Sequence, residues 1–313
     1  MRPVRDSLTL LSRSAPARRV VRRFVAGERV DDLVRVVAEL AADGFPVSVA
    51  HLGAPAHPEV QAVAAVAEYR TLLDRLSDAG LAAGADVTIR SDLPGESALS
   101  VARKVCRTAA RVGATVTIAP PEAGEVDRTL ALVAALRQDF PDVGVALSAA
   151  LPRTEDDCRA LAVPGSRVRI ERGGPDADSA EVDKAYVRCL KVLLAGEGYP
   201  VIATHDPRLI EIAGALASRY GRAPSTYELQ LPYGIRSAEQ RRLVASGERV
   251  RVYLPYGAAW HGYLMRRVFS RQRGESHFDG SLLPRLVTKT RSARVAERPA
   301  NLRLFLTSLV SRR

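Results

Sequence analysis

Short runs of β-branched and apolar residues alternate with longer amphipathic stretches along most of this chain. The short runs predict eight strands, at Pro46–Leu52, Asp86–Arg90, Ala114–Ile118, Gly144–Ala149, Arg167–Glu171, Pro200–Ala203, Tyr227–Gln230 and Arg249–Tyr253. The amphipathic stretches predict eight helices, at Asp31–Asp43, Glu59–Ala79, Glu96–Val112, Glu125–Asp139, Glu155–Ala162, Ser179–Glu197, Asp206–Tyr220 and Ser237–Ser246. This alternation indicates an α/β protein with parallel strands. Eight units over about 250 residues are typical of a (β/α)8 barrel rather than an open doubly wound sheet, and no GxGxxG motif follows the first strand.

The active site of such a barrel lies at the C-terminal ends of its strands. The residues that close the predicted strands form a polar, arginine-rich ring: Arg90, Ala119, Ser148, Arg169 with Arg172, Thr204-His205-Asp206, Gln230 and Tyr253. This ring suits an anionic ligand. Asp206 is expected to cap the next helix, with Pro207 in its first turn. His205 beside that helix N-terminus is either a structural residue or a contact to phosphate.

Two adjacent arginines, Arg266 and Arg267, follow the last predicted strand, with Tyr263 close before them. Neighbouring arginines repel in water, so holding both at one site needs an anionic partner. A small carboxylate fits this role because guanidinium groups bind it through paired, charge-assisted hydrogen bonds. The other interpretation is a solvated arginine-rich helix, because only four of the 46 basic residues are lysines.

Composition narrows the class of protein. The chain has 313 residues, of which 47% are hydrophobic, enough for a sizeable core. The net charge of +11 suggests an anionic partner, but the basic residues are scattered and aromatics make up only 5%, which argues against nucleic acid. The basic N-terminal residues predict either a solvated face or weak contact with an anionic membrane surface. Three separated cysteines and the absence of a long apolar run fit a reducing cytoplasm.

Several longer motifs carry a resemblance to a known family. They are Arg167-Val168-Arg169 with Gly173-Gly174, Glu181-Val182-Asp183-Lys184-Ala185-Tyr186, Gly198-Tyr199-Pro200 with Ala203-Thr204-His205-Asp206-Pro207, Tyr227-Glu228-Leu229-Gln230 with Tyr233-Gly234-Ile235-Arg236, Tyr253 with Tyr256-Gly257, and Tyr263 with Met265-Arg266-Arg267. In these motifs and their order, the chain resembles the flavin-dependent proline dehydrogenases, in particular the short monofunctional bacterial type.

The resemblance implies a barrel that holds FAD at its strand ends. It also implies oxidation of proline to pyrroline-5-carboxylate by hydride transfer to the flavin, with a quinone as the electron acceptor. Arg266 and Arg267 would bind the substrate carboxylate, Tyr253 and Tyr263 would shape the ring pocket, and Arg90 would belong to the opposite wall. Arg169 and Tyr253 would be the catalytic residues. The cofactor contacts would come from Ser148, Arg169, Arg172, Gly173, Gly174, Thr204, His205, Gln230 and Glu297.

The chain departs from the family pattern on one wall of the site. Arg90 stands where the family has a lysine, Ala119 where it has an aspartate, and Ser148 where it has a glutamine. The lysine and aspartate are expected to interact, and exchanging both avoids part of the cost of leaving one desolvated charge uncompensated. Two interpretations follow: an active dehydrogenase, or a weakened or inactive paralogue that binds a small carboxylate or a partner.

Four regions are predicted. Residues 1–30 form a basic, helical N-terminal arm, and residues 31–267 form the barrel with the FAD and substrate sites. Residues 268–294 are rich in Arg, Ser and Gly and form an insertion, expected to be a surface excursion or disordered. Residues 295–313 form a C-terminal helix that carries Glu297. The Arg266–Arg267 segment would be a helix that clamps the substrate.

Overall fold

A computed structural model describes residues 22–53, 58–90, 95–120, 122–173, 179–260 and 263. The strands are β1 (Val47–His51), β2 (Asp86–Arg90), β3 (Thr115–Ala119), β4 (Gly144–Ser148), β5 (Arg167–Glu171), β6 (Tyr199–Ala203), β7 (Glu228–Pro232) and β8 (Val250–Tyr256). The helices are α1 (Val30–Ala42), α2 (Pro58–Asp78), α3 (Gly95–Arg111), α4 (Val126–Arg137), α5 (Thr154–Leu161), α6 (Ser179–Ala195), α7 (Pro207–Arg219) and α8 (Ser237–Ala245). Short 3₁₀ helices at Ala123–Glu125 and Pro224–Thr226 precede α4 and β7. The predicted strands and helices are therefore confirmed, with ends that shift by up to three residues.

The eight strands close into a barrel in sequence order, and every neighbouring pair is parallel. The closing contact joins β8 to β1, where Ser48 is the register partner of Tyr253. This topology confirms the predicted (β/α)8 barrel. The strand faces that point away from the axis pack against the helices; α1, for example, buries Leu33, Val36 and Val37 at the spacing of one helical face.

Residues 22–29, the described part of the predicted N-terminal arm at residues 1–30, are not helical. Residues 22–29 form turns and bends, and the first described helix begins only at Val30. Phe24, Val25 and Ala26 are buried, and the Ala26 amide donates to the Pro255 carbonyl at 2.9 Å. Burial of this apolar triplet explains why the segment follows the barrel instead of forming an exposed helix. Residues 1–21, the predicted insertion at 268–294 and the predicted helix at 295–313 lie outside the described residues.

A charged cluster fills the barrel near the N-terminal ends of its strands. Glu228 is fully buried and accepts hydrogen bonds at 2.6 Å from both Arg251 Nε and Arg167 Nη2. The Tyr199 hydroxyl donates to the other carboxylate oxygen at 3.2 Å, and Arg251 Nη1 donates to the carbonyls of Val47 and Gly84. Buried charges persist only when they are paired and hydrogen-bonded, so this cluster is part of the barrel's framework.

Candidate active site

Arg169 is the central charged residue of the upper barrel. Because side chains alternate along a strand, Arg167, Arg169 and Glu171 lie on one face of β5, which points into the barrel. The Arg169 side chain is only 4% exposed. Its Nη1 donates to Thr88 Oγ1 at 2.8 Å, and its guanidinium carbon lies 5.6 Å from the centre of the Tyr253 ring. The structure therefore brings the two predicted catalytic residues into contact.

The predicted positions of three site residues along their strands are wrong. Arg169, Gln230 and Tyr253 lie in the middle of β5, β7 and β8, and not at their ends. Two predicted strands were too short, because β7 continues to Pro232 and β8 to Tyr256. The three side chains consequently lie inside the barrel, below its mouth, where water is scarce and electrostatic interactions are stronger.

Gln230 has a buried side-chain amide that the protein leaves unsatisfied. Its side chain is buried, and neither the amide nitrogen nor the amide oxygen has a hydrogen-bond partner in the structure. A buried polar group left without a partner costs about 1–3 kcal/mol. A ligand that offers one acceptor and one donor at this height of the barrel would remove that cost.

Gly173 follows β5 at the point where it approaches the end of β4. Its φ is +129°, and a Cβ there would lie 2.6 Å from Ala150 Cβ and 2.9 Å from Ser148 Oγ. Only glycine tolerates both this conformation and this contact. Ser148 is fixed in turn, since its carbonyl accepts a hydrogen bond from Thr154 Oγ1 at 2.6 Å. The structure thus brings Ser148 and Gly173 together, whereas Gly174 lies outside the described residues.

Arg172, Thr204 and His205 lie in the loops that follow β5 and β6. Arg172 Nε donates to Asp183 of α6 at 2.7 Å. Thr204 is buried, and its hydroxyl accepts from the Asp206 amide. The predicted helix cap is confirmed, because Asp206 accepts from the Arg208 amide at 2.8 Å and Pro207 begins α7. Thr204 and His205 therefore precede a helix N-terminus, whose partial positive charge favours a phosphate.

Arg90 and Ala119, the substituted pair of the family pattern, are direct neighbours. They are register partners at the C-terminal ends of β2 and β3. The Arg90 side chain is exposed, and Ala119 is buried beside it. A long cation and a small apolar residue thus occupy adjacent strand ends.

The sequence reasoning missed His51, the last residue of β1. Its ring centre lies 5.1 Å from that of Tyr256 and 6.3 Å from that of Tyr69. Desolvation lowers the pKa of His51, and the nearby Glu68 opposes this shift only in part. The histidine is therefore neutral near pH 7. The sequence signal for His51 was its position at a strand end, two residues before Gly53.

The remaining predicted site residues follow β8, and only one of them is among the described residues. Tyr263 is helical and half-buried, while Arg266, Arg267 and Glu297 lie outside the described residues. Within the part of the chain that the structure describes, no group of three or more His, Cys, Asp or Glu side chains could hold a metal ion. Among the described helices, none is long and apolar enough to cross a membrane.

The fold and this interior define a (β/α)8 barrel of the enzyme type, with a buried arginine and an unsatisfied amide below its mouth. A family model described as "Proline dehydrogenase" matches residues 177–269. The proline dehydrogenase of Deinococcus radiodurans is 30% identical over 270 residues, which cover 80% of this chain and 86% of the relative. Proline dehydrogenase 1 of Bacillus subtilis strain 168 is 28% identical over 275 residues, which cover 85% of this chain and 91% of the relative. The chain belongs to the proline dehydrogenase family.

Solved structures agree with this fold. Proline utilization A (PutA) of Bdellovibrio bacteriovorus, inactivated by N-propargylglycine, superposes with a TM-score of 0.75 at 18% identity, over 89% of this chain and 36% of that chain. PutA of Corynebacterium freiburgense gives a TM-score of 0.68 at 18% identity, over 91% of this chain and 34% of that protein. This chain thus spans about a third of those proteins. At such identity the likeness supports the barrel alone.

Proposed function

We propose that this protein oxidises L-proline to pyrroline-5-carboxylate with FAD as the electron acceptor, as a step in proline catabolism. The observation that carries the proposal is the buried Arg169, which lies against Tyr253 in the upper barrel. Family membership supports the same reaction, since relatives that match most of this chain are named proline dehydrogenases.

The residues present fit FAD. The unpartnered amide of Gln230 offers a donor and an acceptor to a ring edge that carries both. Thr204 and His205 offer a helix N-terminus to a phosphate, and Gly173 lets backbone come close to Ser148. Arg172 adds positive charge on the same side of the mouth. We assign Ser148, Arg169, Arg172, Gly173, Gly174, Thr204, His205 and Gln230 to the cofactor site.

When bound, FAD supplies the two-electron acceptor that the oxidation requires. The protein supplies orientation and charge. Arg169 is a cation in a water-poor interior, where it would stabilise negative charge that develops on a bound acceptor. Tyr253 presents its ring to that guanidinium, which limits the directions in which Arg169 can point.

The substrate is assigned to the chain that follows β8. Arg266 and Arg267 would bind the proline carboxylate through charge-assisted hydrogen bonds, and Tyr263 would pack on the ring. Arg90, at the end of β2, would close the opposite wall with its exposed cation. Of the lysine and aspartate expected at these two neighbouring positions, Arg90 keeps the positive charge and Ala119 removes the carboxylate.

The alternative, a barrel that binds a carboxylate without turnover, is not favoured, because the buried Arg169 and Gln230 serve no purpose in carboxylate capture at the mouth. We infer that the electrons leave to a quinone-type acceptor. The cytoplasm, with peripheral contact of the basic N-terminal residues with a membrane surface, is the corresponding location.

Anaerobic mixing of the FAD-loaded protein with substrate tests this function. L-proline should bleach the visible absorbance of the flavin, and product should accumulate in equal amount. Pyrrolidine, the same ring without a carboxylate, should bleach it at least about tenfold less effectively, since each charge-assisted contact contributes roughly 1.5–3 kcal/mol. Full FAD occupancy without bleaching by proline would refute the assigned substrate, and no FAD binding at all would refute the flavoenzyme.

A further inference from the structure

Four buried side chains form a continuous line of hydrogen bonds through the barrel interior. Ser48 Oγ donates to Asp86 Oδ2 at 2.6 Å, and Ser48 Oγ lies 3.1 Å from Thr88 Oγ1. Thr88 Oγ1 accepts from Arg169 Nη1 at 2.8 Å. The line joins β1, β2 and β5, so it crosses the barrel from one wall to another. It rises from Asp86, the first residue of β2, to the arginine of the upper barrel.

The two ends of this line fix the direction of every hydrogen bond in it. A guanidinium group only donates and an ionised carboxylate only accepts. The Ser48 proton is given to Asp86, so Ser48 can only accept from Thr88. Thr88 accepts from Arg169 and must pass its own proton to Ser48. Each hydroxyl therefore has one orientation, and charge-assisted bonds terminate both ends.

Asp86 is an anchor suited to this role. It is 1% exposed, and its second carboxylate oxygen accepts from Thr115 and Thr117 at 3.0 and 2.8 Å. Desolvation by burial raises the pKa of Asp86, but the charges of Arg167 and Arg251 and the hydrogen bond from Ser48 outweigh it and keep the pKa below its ordinary value. The carboxylate is thus ionised at neutral pH.

The contacts of Arg169 explain why the line matters. Arg169 Nε lies 2.8 Å from Glu171 Oε1, but the N–H is poorly aligned and makes no hydrogen bond. Glu171 is also 47% exposed at the mouth. Without the Thr88 hydroxyl, the guanidinium would lose this hydrogen bond and keep the ion pair with Glu171. The bond to Thr88 is therefore expected to help hold the cation below the mouth.

We propose that Asp86, Ser48 and Thr88 are positioning residues that act as one directed hydrogen-bond chain to hold Arg169 towards the redox site. The proposal rests on the proposed function, because it assigns a consequence for the bound flavin. It adds three residues from β1 and β2, none of which is assigned above to the substrate or cofactor site.

The test compares four variants of the FAD-loaded protein. Thr88→Val and Ser48→Ala break the chain at different links, and Thr88→Ser keeps the hydroxyl. Thr117→Val is the matched control, because Thr117 is equally buried and bonds to the same Asp86 but lies off the path to Arg169. Each variant is examined for kcat and KM with proline, and for the flavin reduction potential by spectroelectrochemistry.

Thr88→Val and Ser48→Ala should lower kcat by about tenfold, the scale of one charge-assisted hydrogen bond, with little change in KM. The potential should become more negative by about 30 mV, the equivalent of a tenfold change for a two-electron couple. Thr88→Ser should restore both values, and Thr117→Val should leave both near wild type. Equal effects of Thr88→Val and Thr117→Val, or no rescue by Thr88→Ser, would overturn the chain.

A measurement on the flavin-free protein separates this proposal from the proposed function. Urea unfolding of Thr88→Val, Arg169→Met and the double variant gives their coupling, with Arg169→Lys in place of Arg169→Met if that variant does not fold. The two changes should be clearly non-additive if the hydrogen bond exists in solution. Additivity would overturn the chain even if proline oxidation is established, whereas wild-type protein that fails to bind FAD would overturn the proposed function itself.

Discussion

Replacing Glu228 by glutamine should destabilise the barrel strongly, because this carboxylate balances the charges at the N-terminal ends of the strands. It is fully buried and bonds at 2.6 Å to Arg251 Nε and Arg167 Nη2. The Arg251 side chain is 2% exposed and that of Arg167 is 12% exposed. Glu228→Gln keeps the shape of the side chain and removes only the charge.

The magnitude follows from the partners left behind. Breaking a buried ion pair typically costs about 3–5 kcal/mol, since one charge remains desolvated and uncompensated. Here the guanidinium groups of Arg251 and Arg167 would remain; desolvation lowers the pKa of Arg251, and Asp86 would be left as the other carboxylate that, with Glu228, raises it. The glutamine oxygen still accepts one hydrogen bond, so a loss of about 3 kcal/mol is expected.

Equilibrium urea unfolding measures this loss. The control is Glu39→Gln, which removes the exposed pair with Arg35, where both side chains are more than half exposed; a change below about 0.5 kcal/mol is expected there. A loss below about 1 kcal/mol for Glu228→Gln, or a loss equal to the control, would contradict the view that this cluster is a tightly coupled framework.

Three further predictions concern the site. Gly173→Ala should lower the melting temperature and weaken FAD binding more than Gly44→Ala. Both glycines have positive φ, but of the two only Gly173 has neighbours closer than 3.0 Å to a new Cβ. Equal effects of the two substitutions would refute the contact argument. Gln230→Leu should weaken FAD binding by about tenfold or more. The flavin-free variant should be as stable as wild type or slightly more stable, because the substitution removes an unsatisfied buried amide. A clear loss of stability in the flavin-free protein would mean that the amide already has a partner. Burial lowers the pKa of His51 below 6.5, so its contribution to stability is present above the unfolded pKa and is lost as the pH falls from about 6.5 through the folded pKa. The unfolding free energy of His51→Phe should therefore fall less than that of wild type between about pH 7 and 5. Parallel pH profiles of the two proteins would contradict this assignment.

The sequence by itself determined the fold class, because that information is local. Apolar runs of strand length and amphipathic runs of helix length can be read within windows of a few residues. Their alternation leaves few topologies for a chain of this size. The cap at Asp206 is predictable for the same reason, since it depends on the residues directly around it.

The motifs also pointed to residues that meet in the structure. Arg169, Tyr253, Ser148 and Gly173 were assigned from a likeness in short segments, and the structure brings Arg169 to Tyr253 and Gly173 to Ser148. The depth of these residues could not be read in the same way. It depends on where each strand ends, and the ends of β7 and β8 lie two and three residues beyond the predicted ones.

Only the tertiary structure decided which inward-facing residues meet. Thr88 and Arg169 are 81 positions apart in the chain and come within 2.8 Å because β2 and β5 face each other across the barrel. The turn structure of residues 22–29 was equally hidden, since it depends on burial of Phe24 to Ala26 against the rest of the barrel. Period-two alternation tells which face of a strand is inward. The height at which two inward residues meet is set by barrel closure and strand stagger, which are properties of all eight strands together.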